Sequence, residues 1–172
     1  MPVNEVVIRR IQTSDSPILR AIRLRALATD PASFGSTYER DADFPDQTWV
    51  QRAQRSSAGN DAATMIAVLG DEPVGIVTGL RDQAQRHLFH VVEMWVAPEV
   101  SRAGLGRRLL DEIEGWIASC GGTRARLSVT NAATAAMQLY ESAGYKPDGN
   151  SQESRHTPGL IESSLVKRLD AT

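Results

Sequence analysis

A glycine- and arginine-rich turn joins a strand pattern to the clearest helical pattern of the chain. The turn is Ser101-Arg-Ala-Gly-Leu-Gly-Arg-Arg108. Two glycines in the first turn of a helix cost about 1 kcal/mol each relative to alanine, and Arg102, Arg107 and Arg108 add positive charge where the helix dipole is already positive. A bound anion removes both penalties, because glycine lets backbone N–H groups approach phosphate oxygens and arginine supplies a counter-ion. The turn therefore predicts a pyrophosphate site, with an ordinary turn of solvated arginines as the alternative.

The helix after this turn has an apolar stripe that ends at Gly121-Gly122. The stripe recurs at helical spacing through Leu105, Leu109, Ile113, Trp116 and Cys120. The turn lacks the Gly-Lys-Ser/Thr of a P-loop and the third glycine of the dinucleotide fingerprint. A nucleotide of another kind is therefore expected.

The remaining patterns predict an α/β (α+β) fold with a mixed sheet. Strand patterns cover Glu5–Ile11, Thr64–Leu69, Val74–Leu80, His87–Ala97, Arg124–Thr130 and Ile161–Leu169. Helical patterns cover Ile18–Leu27, Trp49–Ser57, the stripe from Gly104 and Ala132–Ala143. The turn Gly70-Asp-Glu-Pro73 predicts an antiparallel hairpin, and the two-sided apolar character of His87–Ala97 predicts a central strand. Pro31–Thr48 and Pro147–Gly159 are predicted to be irregular.

Length and composition narrow the class of protein. The 172 residues, 41% hydrophobic, predict one domain spanning residues 1–172. A net charge of −2 offers no general attraction to nucleic acid. The single Cys120 excludes an intramolecular disulfide and favours a reducing compartment. No signal-like or membrane-spanning run is present in the sequence, so we expect a cytoplasmic protein with no membrane or nucleic-acid partner.

Four motifs in chain order resemble the GNAT superfamily of acetyl-CoA-dependent N-acetyltransferases. They are Met94-Trp-Val-Ala-Pro-Glu99, Ser101–Leu110, Leu127-Ser-Val-Thr130 and Leu139-Tyr-Glu-Ser-Ala-Gly-Tyr145. The resemblance covers residues 87–146 best. It implies a splayed, mostly antiparallel sheet flanked by helices, with the pantetheine arm of acetyl-CoA between the strand ending near Val96 and the strand from Arg124.

The resemblance also implies the cofactor-binding residues. The backbone of Met94, Trp95 and Val96 would hold the thioester. The phosphate turn falls on Ser101, Arg102, Ala103, Gly104, Leu105 and Gly106. Ser101 departs from the Gln or Arg of the family pattern, so Arg102 or Arg107 is expected to compensate. Many members carry an asparagine seven residues before the tyrosine, where this chain has Ala133, and Asn131 is the nearby candidate.

Direct acetyl transfer to an amine requires a base and an acid. Glu93 is the only carboxylate inside the predicted central strand, so it is the candidate base, with a merely structural charge as the alternative. Strand alternation predicts that His90 points to the opposite face, which makes it a competing candidate. Tyr140 matches the tyrosine that protonates the leaving sulfur in the family. On the residue pattern alone, an ordinary core tyrosine is the favoured interpretation of this position.

No metal and no acyl-enzyme are expected. His87 and His90 diverge on a strand, and Cys120 lies at a helix C-terminus, where the dipole disfavours a thiolate.

The predicted function is N-acetyl transfer from acetyl-CoA to a primary amine of a small molecule or peptide. A protein or peptide acetyltransferase and a non-catalytic acyl-CoA-binding regulatory module are the alternatives, and a homodimer is compatible with such a fold. Acidic residues interleave with aromatic ones between Phe34 and Trp49 and suit a cationic acceptor, or else form a solvated loop. The segment Pro147–Gly159, with Arg155 and His156, is the candidate for the opposite wall.

Overall fold

The computed structural model describes residues 5–31, 34–101, 103–155 and 157–170. Its strands are β1 Val6–Arg10, β2 Ala62–Leu69, β3 Glu72–Arg81, β4 Leu88–Val96, β5 Arg124–Thr130, β6 Lys146–Glu153 and β7 Ile161–Arg168. Its α-helices are α1 Ser16–Thr29, α2 Tyr38–Ala42, α3 Asp46–Ser57, α4 Leu105–Ser119 and α5 Thr134–Ser142. Short 3-10 turns cover Thr13–Asp15 and Pro98–Val100.

The strands form one sheet in the order β1-β2-β3-β4-β5-β7-β6. The pair β4–β5 is parallel, and the other described pairs are antiparallel. Only three residue pairs join β4 to β5, and the last of them is His90 with Arg126. Beyond that pair the two strands diverge. The predicted α/β fold with a splayed, mostly antiparallel sheet is confirmed.

A β-bulge interrupts β4 just after the strands diverge. Trp95 lies opposite Ile76 and Val92 lies opposite Thr78, so the two residues Glu93 and Met94 face a single residue of β3. Glu93 has a φ of 59°, which is rare for a residue other than glycine. A bulge of this kind redirects a side chain out of the regular alternation.

The central helix α4 packs closely on one face of β3. Its apolar stripe buries Leu109, Ile113 and Ile117 completely. A Cβ added at Gly79 would lie 3.1 Å from Ile113, so glycine lets the helix approach the strand. Thr78, on the opposite face of β3, contacts Glu93 and Thr64 instead. One face of β3 therefore packs against α4, and the opposite face carries Thr78 and its polar contacts.

Two segments predicted to be irregular contain regular structure. Within Pro31–Thr48, Thr37 caps α2 by accepting a hydrogen bond from the backbone N–H of Arg40, and α3 begins at Asp46 rather than Trp49. Within Pro147–Gly159, β6 is an edge strand whose side chains are nearly all exposed. An exposed edge strand needs no apolar alternation, so the sequence carries no period to predict it.

No helix in the described ranges is both long enough and apolar enough to cross a membrane.

Gly122 follows α4 at a point where Ile117 of α4 and Phe89 of β4 are both close, and its replacement provides a test of this packing. A Cβ there would lie 2.9 Å from the backbone oxygen of Ile117 and 2.8 Å from the ring of Phe89. Gly122→Ala should therefore cost about 1–3 kcal/mol of unfolding free energy. Gly115→Ala, at an exposed site of α4 with no atom within 4 Å, should stabilise the protein by up to about 1 kcal/mol. Urea denaturation of both variants measures the difference, and equal effects would contradict the packing.

Candidate active site

The divergence of β4 and β5 opens a cleft of about 1130 Å³. Its walls are formed by residues 90–96 of β4, residues 126–130 of β5, the start of α4 and one side of α5. Because β5 no longer pairs with β4 beyond His90, the edge of β4 that faces the cleft has backbone groups without a strand partner. The cleft therefore offers backbone hydrogen-bond donors and acceptors along its length.

The start of α4 closes one end of the cleft. Gly104 precedes the helix in the left-handed conformation, with a φ of 77°, and no side chain caps the helix. The first intrahelical bond runs from the Arg108 N–H to the Gly104 oxygen, so three earlier N–H groups have no partner in the described part of the chain. Gly106 lies on the cleft wall, where a Cβ would come within 3.1 Å of Leu139. Uncapped N–H groups at a helix start fit a phosphate.

Most of the predicted cofactor residues come together here. The cleft walls include Met94, Trp95, Val96, Ser101, Gly104, Gly106 and Arg107. Ala103 and Leu105 lie next to this wall without lining it, since Leu105 is buried in the core. Arg102 lies outside the described residues.

Two expectations about polar groups near the cofactor site need correction. Asn131 does not line the cleft: its side-chain oxygen accepts a hydrogen bond from the Ile161 N–H and fastens the end of β5 to β7. Arg108 was expected to serve as a counter-ion at the helix start. Its guanidinium group instead donates to the Val6 oxygen of β1 and is directed away from the helix start. Arg107, paired with Asp111, stays at the cleft.

Glu93 lies in the cleft with both carboxylate oxygens engaged. Oε1 accepts a hydrogen bond from Arg23 Nη1 at 2.7 Å, and Oε2 accepts one from Thr78 Oγ1 at 2.7 Å. The side chain is 22% exposed. The bulge thus directs the carboxylate towards α1, where it is held in one orientation.

His90 lies on the same face of the sheet as Glu93, contrary to the alternation that predicted opposite faces. It pairs with Leu80, two residues from Thr78 on β3. The alternation fails because the bulge turns Glu93. His90 Nε2 lies 2.7 Å from Asp82 Oδ2. The hydrogen bond from His90, with those from the Gln85 and Ala84 N–H groups, lowers the pKa of Asp82 to about 2.

Arg23 links Glu93 to a second, buried carboxylate, Asp41, and the three side chains form a buried ionic chain. Arg23 Nε donates to Asp41 Oδ2 at 2.9 Å, and Ser36 donates to the other oxygen of Asp41. The ring of Phe34 packs on the Arg23 guanidinium group at 4.8 Å. Sequence reasoning did not identify Arg23, although one signal was present. It lies on the buried stripe of α1, where a cation needs a partner.

Tyr140 faces the cleft from α5 and is 6% exposed. Its ring packs edge-on against Tyr145 at 6.0 Å, whose hydroxyl donates to Glu114 outside the cleft. Burial, with a smaller effect of the Asp30 carboxylate, raises the pKa of Tyr140 well above its ordinary value. The phenol therefore keeps its proton at neutral pH and can act as a donor.

Comparison with known proteins gives the family. The sequence model of the Acetyltransferase (GNAT) family matches residues 23–145. The chain belongs to this family. Acetyl transfer from acetyl-CoA is the family's reaction, so the predicted enzyme class is confirmed. No curated protein is similar enough in sequence to count as a relative.

Solved structures of other acetyltransferases share this fold. A GNAT acetyltransferase from Streptococcus pneumoniae superposes with a TM-score of 0.83 at 23% identity, over 96% of this chain and 100% of that one. A putative acetyltransferase from Salmonella typhimurium, solved with its cofactor acetyl-CoA, gives 0.76 at 16% identity, over 97% and 95%. The ribosomal-protein-S18-alanine N-acetyltransferase of Escherichia coli gives 0.70 at 17% identity, over 97% and 96%.

The segment expected to receive a cationic acceptor has a largely structural role in this acetyltransferase. Asp41 is buried against Arg23, and Trp49 is buried in the core with Phe44 packed on it. Tyr38 is exposed, and Phe34 alone of the aromatic set lines the cleft. On the opposite side, His156 lies outside the described residues, and Arg155 does not line the cleft.

Among the described residues, no group of His, Cys, Asp and Glu side chains is arranged to hold a metal ion.

Removal of the Arg23 guanidinium group tests the buried ionic chain. Arg23→Met leaves the Asp41 carboxylate, 1% exposed, without its counter-ion and should cost about 3–5 kcal/mol of unfolding free energy. Arg25→Met, on the same helix, removes an exposed ion pair with Glu99 and should cost at most about 1 kcal/mol. Denaturant unfolding compares the two, and an equal loss would exclude a special role for Arg23.

Proposed function

We propose that this acetyltransferase moves an acetyl group from acetyl-CoA directly to a primary amine of a small molecule or peptide, acting as a single N-acetyltransferase domain over residues 1–172. One observation carries the proposal. A single cleft brings together the uncapped start of α4, the open edge of β4, the held carboxylate of Glu93 and the protonated phenol of Tyr140. These are the groups that direct acyl transfer from a phosphate-bearing thioester requires.

The two ends of the cleft suit different parts of acetyl-CoA. The N–H groups of residues 105–107, which have no partner among the described residues, suit the pyrophosphate, with Arg107 as the nearby cation. The open edge of β4 at Met94, Trp95 and Val96 suits the pantetheine arm, whose amides need backbone partners. Acetyl-CoA supplies the activated acetyl group as a thioester. A backbone N–H beside the thioester carbonyl favours the negative charge that develops on its oxygen.

The acceptor must lose a proton before its nitrogen can attack. A lysine-like amine has a pKa near ~10.4, so its neutral form at pH 7 costs roughly 4 kcal/mol. Glu93 is our proposed base, acting directly or through a water molecule with the lone pairs that Arg23 and Thr78 leave free. His90 is the competing candidate, because the tautomer that donates from Nε2 to Asp82 leaves a lone pair on Nδ1, which has no hydrogen-bond partner among the described residues.

Tyr140 completes the proton balance. As the carbon–sulfur bond breaks and the carbon–nitrogen bond forms, its hydroxyl donates a proton to the sulfur, and the base holds the proton taken from the nitrogen. Tyr140 regains a proton from solvent or from the base before the next turnover. Its raised pKa favours the return of this proton at neutral pH.

Replacement of the two neighbouring tyrosines tests the function. The wild-type protein should bind acetyl-CoA more tightly than ADP in calorimetric titration and release free thiol in the presence of an accepted amine. Tyr140→Phe should lower kcat about 100-fold while the Kd for acetyl-CoA stays within twofold. Tyr145→Phe removes a hydroxyl bonded to Glu114 outside the cleft and should leave kcat unchanged.

The outcomes distinguish the proposal from its alternatives. Binding of acetyl-CoA without turnover on any amine of a broad panel would favour a non-catalytic acyl-CoA-binding module. Turnover on folded proteins and long peptides, but on no small amine, would favour a protein or peptide acetyltransferase. Absence of acetyl-CoA binding would reject the proposal.

The identity of the base is tested by a second matched pair of variants. Glu93→Gln keeps the shape of the side chain and should lower kcat/KM at least about 100-fold across the pH range. His90→Gln should lower it less than about tenfold and keep the acidic limb of the pH profile. Loss of that limb in His90→Gln, with activity retained in Glu93→Gln, would transfer the base role to His90.

A further inference from the structure

Arg126 lies at the point where β4 and β5 separate. It forms the last pair of the parallel ladder with His90, and both side chains line the cleft. Residues paired in a ladder point to the same face of a sheet. Arg126 is therefore on the face that carries His90 and Glu93, at the closed end of the cleft and away from the start of α4.

The Arg126 guanidinium group is only partly neutralised. Its Nε lies 3.2 Å from Asp148 Oδ2, without the alignment of a hydrogen bond, and no hydrogen bond to either terminal nitrogen is present in the described part of the chain. Asp148 is committed elsewhere, since its oxygens accept from the Asn150 N–H and the Ser164 hydroxyl. Those two bonds lower the pKa of Asp148 more than the Arg126 charge does.

The other described arginines that line the cleft are engaged. Arg23 donates to two carboxylates, and Arg107 donates to Asp111. Arg126 is 30% exposed and has donors to spare. A guanidinium group presents its N–H donors as a planar fork that matches a carboxylate, and partial burial strengthens such a bond. The free donors of Arg126 therefore fit a carboxylate that enters the cleft.

We propose that Arg126 binds a carboxylate of the acceptor, so that the preferred substrates are primary amines that also carry a carboxylate. This inference rests on the proposed function. Glu93 is three positions after His90 on β4, which is about 10 Å at 3.3 Å per residue. An acceptor whose nitrogen lies beside Glu93 can therefore reach Arg126 if its carboxylate is up to about 10 Å from that nitrogen. Glu162 lies opposite Thr130, about 13 Å from Arg126 along β5. The carboxylates beside Arg126 and His90 are already engaged: Asp148 accepts from the Asn150 N–H and the Ser164 hydroxyl, and Asp82 pairs with His90 and accepts from the Ala84 and Gln85 N–H groups.

Matched acceptors test the proposal. The probes are 4-aminobutyrate and 6-aminohexanoate, each compared with its carboxamide, and a lysine-containing peptide with a free or an amidated C-terminus. With wild-type protein, kcat/KM for the better acid should exceed that for its amide by at least about tenfold. If 4-aminobutyrate or 6-aminohexanoate is the preferred acid, the carboxylate belongs to a small molecule. If the peptide with the free C-terminus is preferred, the carboxylate is a peptide C-terminus.

The variants separate Arg126 from a general effect of charge. Arg126→Gln should abolish the preference for acid over amide and leave turnover of the amides within about twofold. Arg124→Gln makes the same change two residues earlier on β5, where the guanidinium group donates to Gln85 and does not line the cleft, and should keep the preference. Equal rates on acids and amides in the wild type, or a preference that survives Arg126→Gln, would overturn the proposal.

A binding measurement keeps this test independent of catalysis. The protein saturated with CoA is titrated calorimetrically with 6-aminohexanoate and with its amide. If the acid binds more tightly than the amide and Arg126→Gln abolishes this difference, the carboxylate site is supported. This holds even if no amine is acetylated, in which case only the proposed function fails. Turnover of amines together with equal binding of acid and amide leaves the proposed function intact and rejects the role of Arg126.

Discussion

The candidate active site of this acetyltransferase depends on the loss of pairing between β4 and β5 after only three residue pairs. A sheet that stayed paired would fill the cleft with its own backbone hydrogen bonds. Divergence instead leaves the edge of β4 unpaired and opens about 1130 Å³ between the strands. The remaining strands pair through longer ladders, so the opening is confined to the one place where β4 and β5 run parallel.

The β-bulge in β4 and the buried Arg23 act together. Without the bulge, Glu93 would point towards α4, where the sheet packs on apolar side chains. The bulge turns it to the other face, and Arg23 and Thr78 then fix both carboxylate oxygens. Burying a carboxylate is unfavourable unless it is paired and hydrogen-bonded. The link from Arg23 to Asp41 also connects the segment around α2 to Glu93.

The two ends of the cleft offer different kinds of polar groups. The start of α4 offers backbone N–H groups of a helix without a side-chain cap, which suit a phosphate whatever the neighbouring side chains. The end at Arg126 carries the ionic side chains of His90 and Arg126, so any binding there depends on individual residues. This division explains why the start of α4 has a recognisable sequence motif while the other end of the cleft has no comparable signature.

The sequence by itself determined the glycine-rich turn, the apolar helix after it, the hairpin of β2 and β3 and the boundaries of β5, because these depend on local period and turn chemistry. The position of Glu93 inside the central strand was also evident from the sequence, whereas Tyr140 was indicated only through the resemblance to the family. Only the tertiary structure decided the face on which Glu93 lies, since one extra residue in a strand reverses every alternation after it. The exposed edge strand β6, the structural role of Asn131 and the partners of Arg23 and Arg126 likewise depend on contacts between residues far apart in the chain.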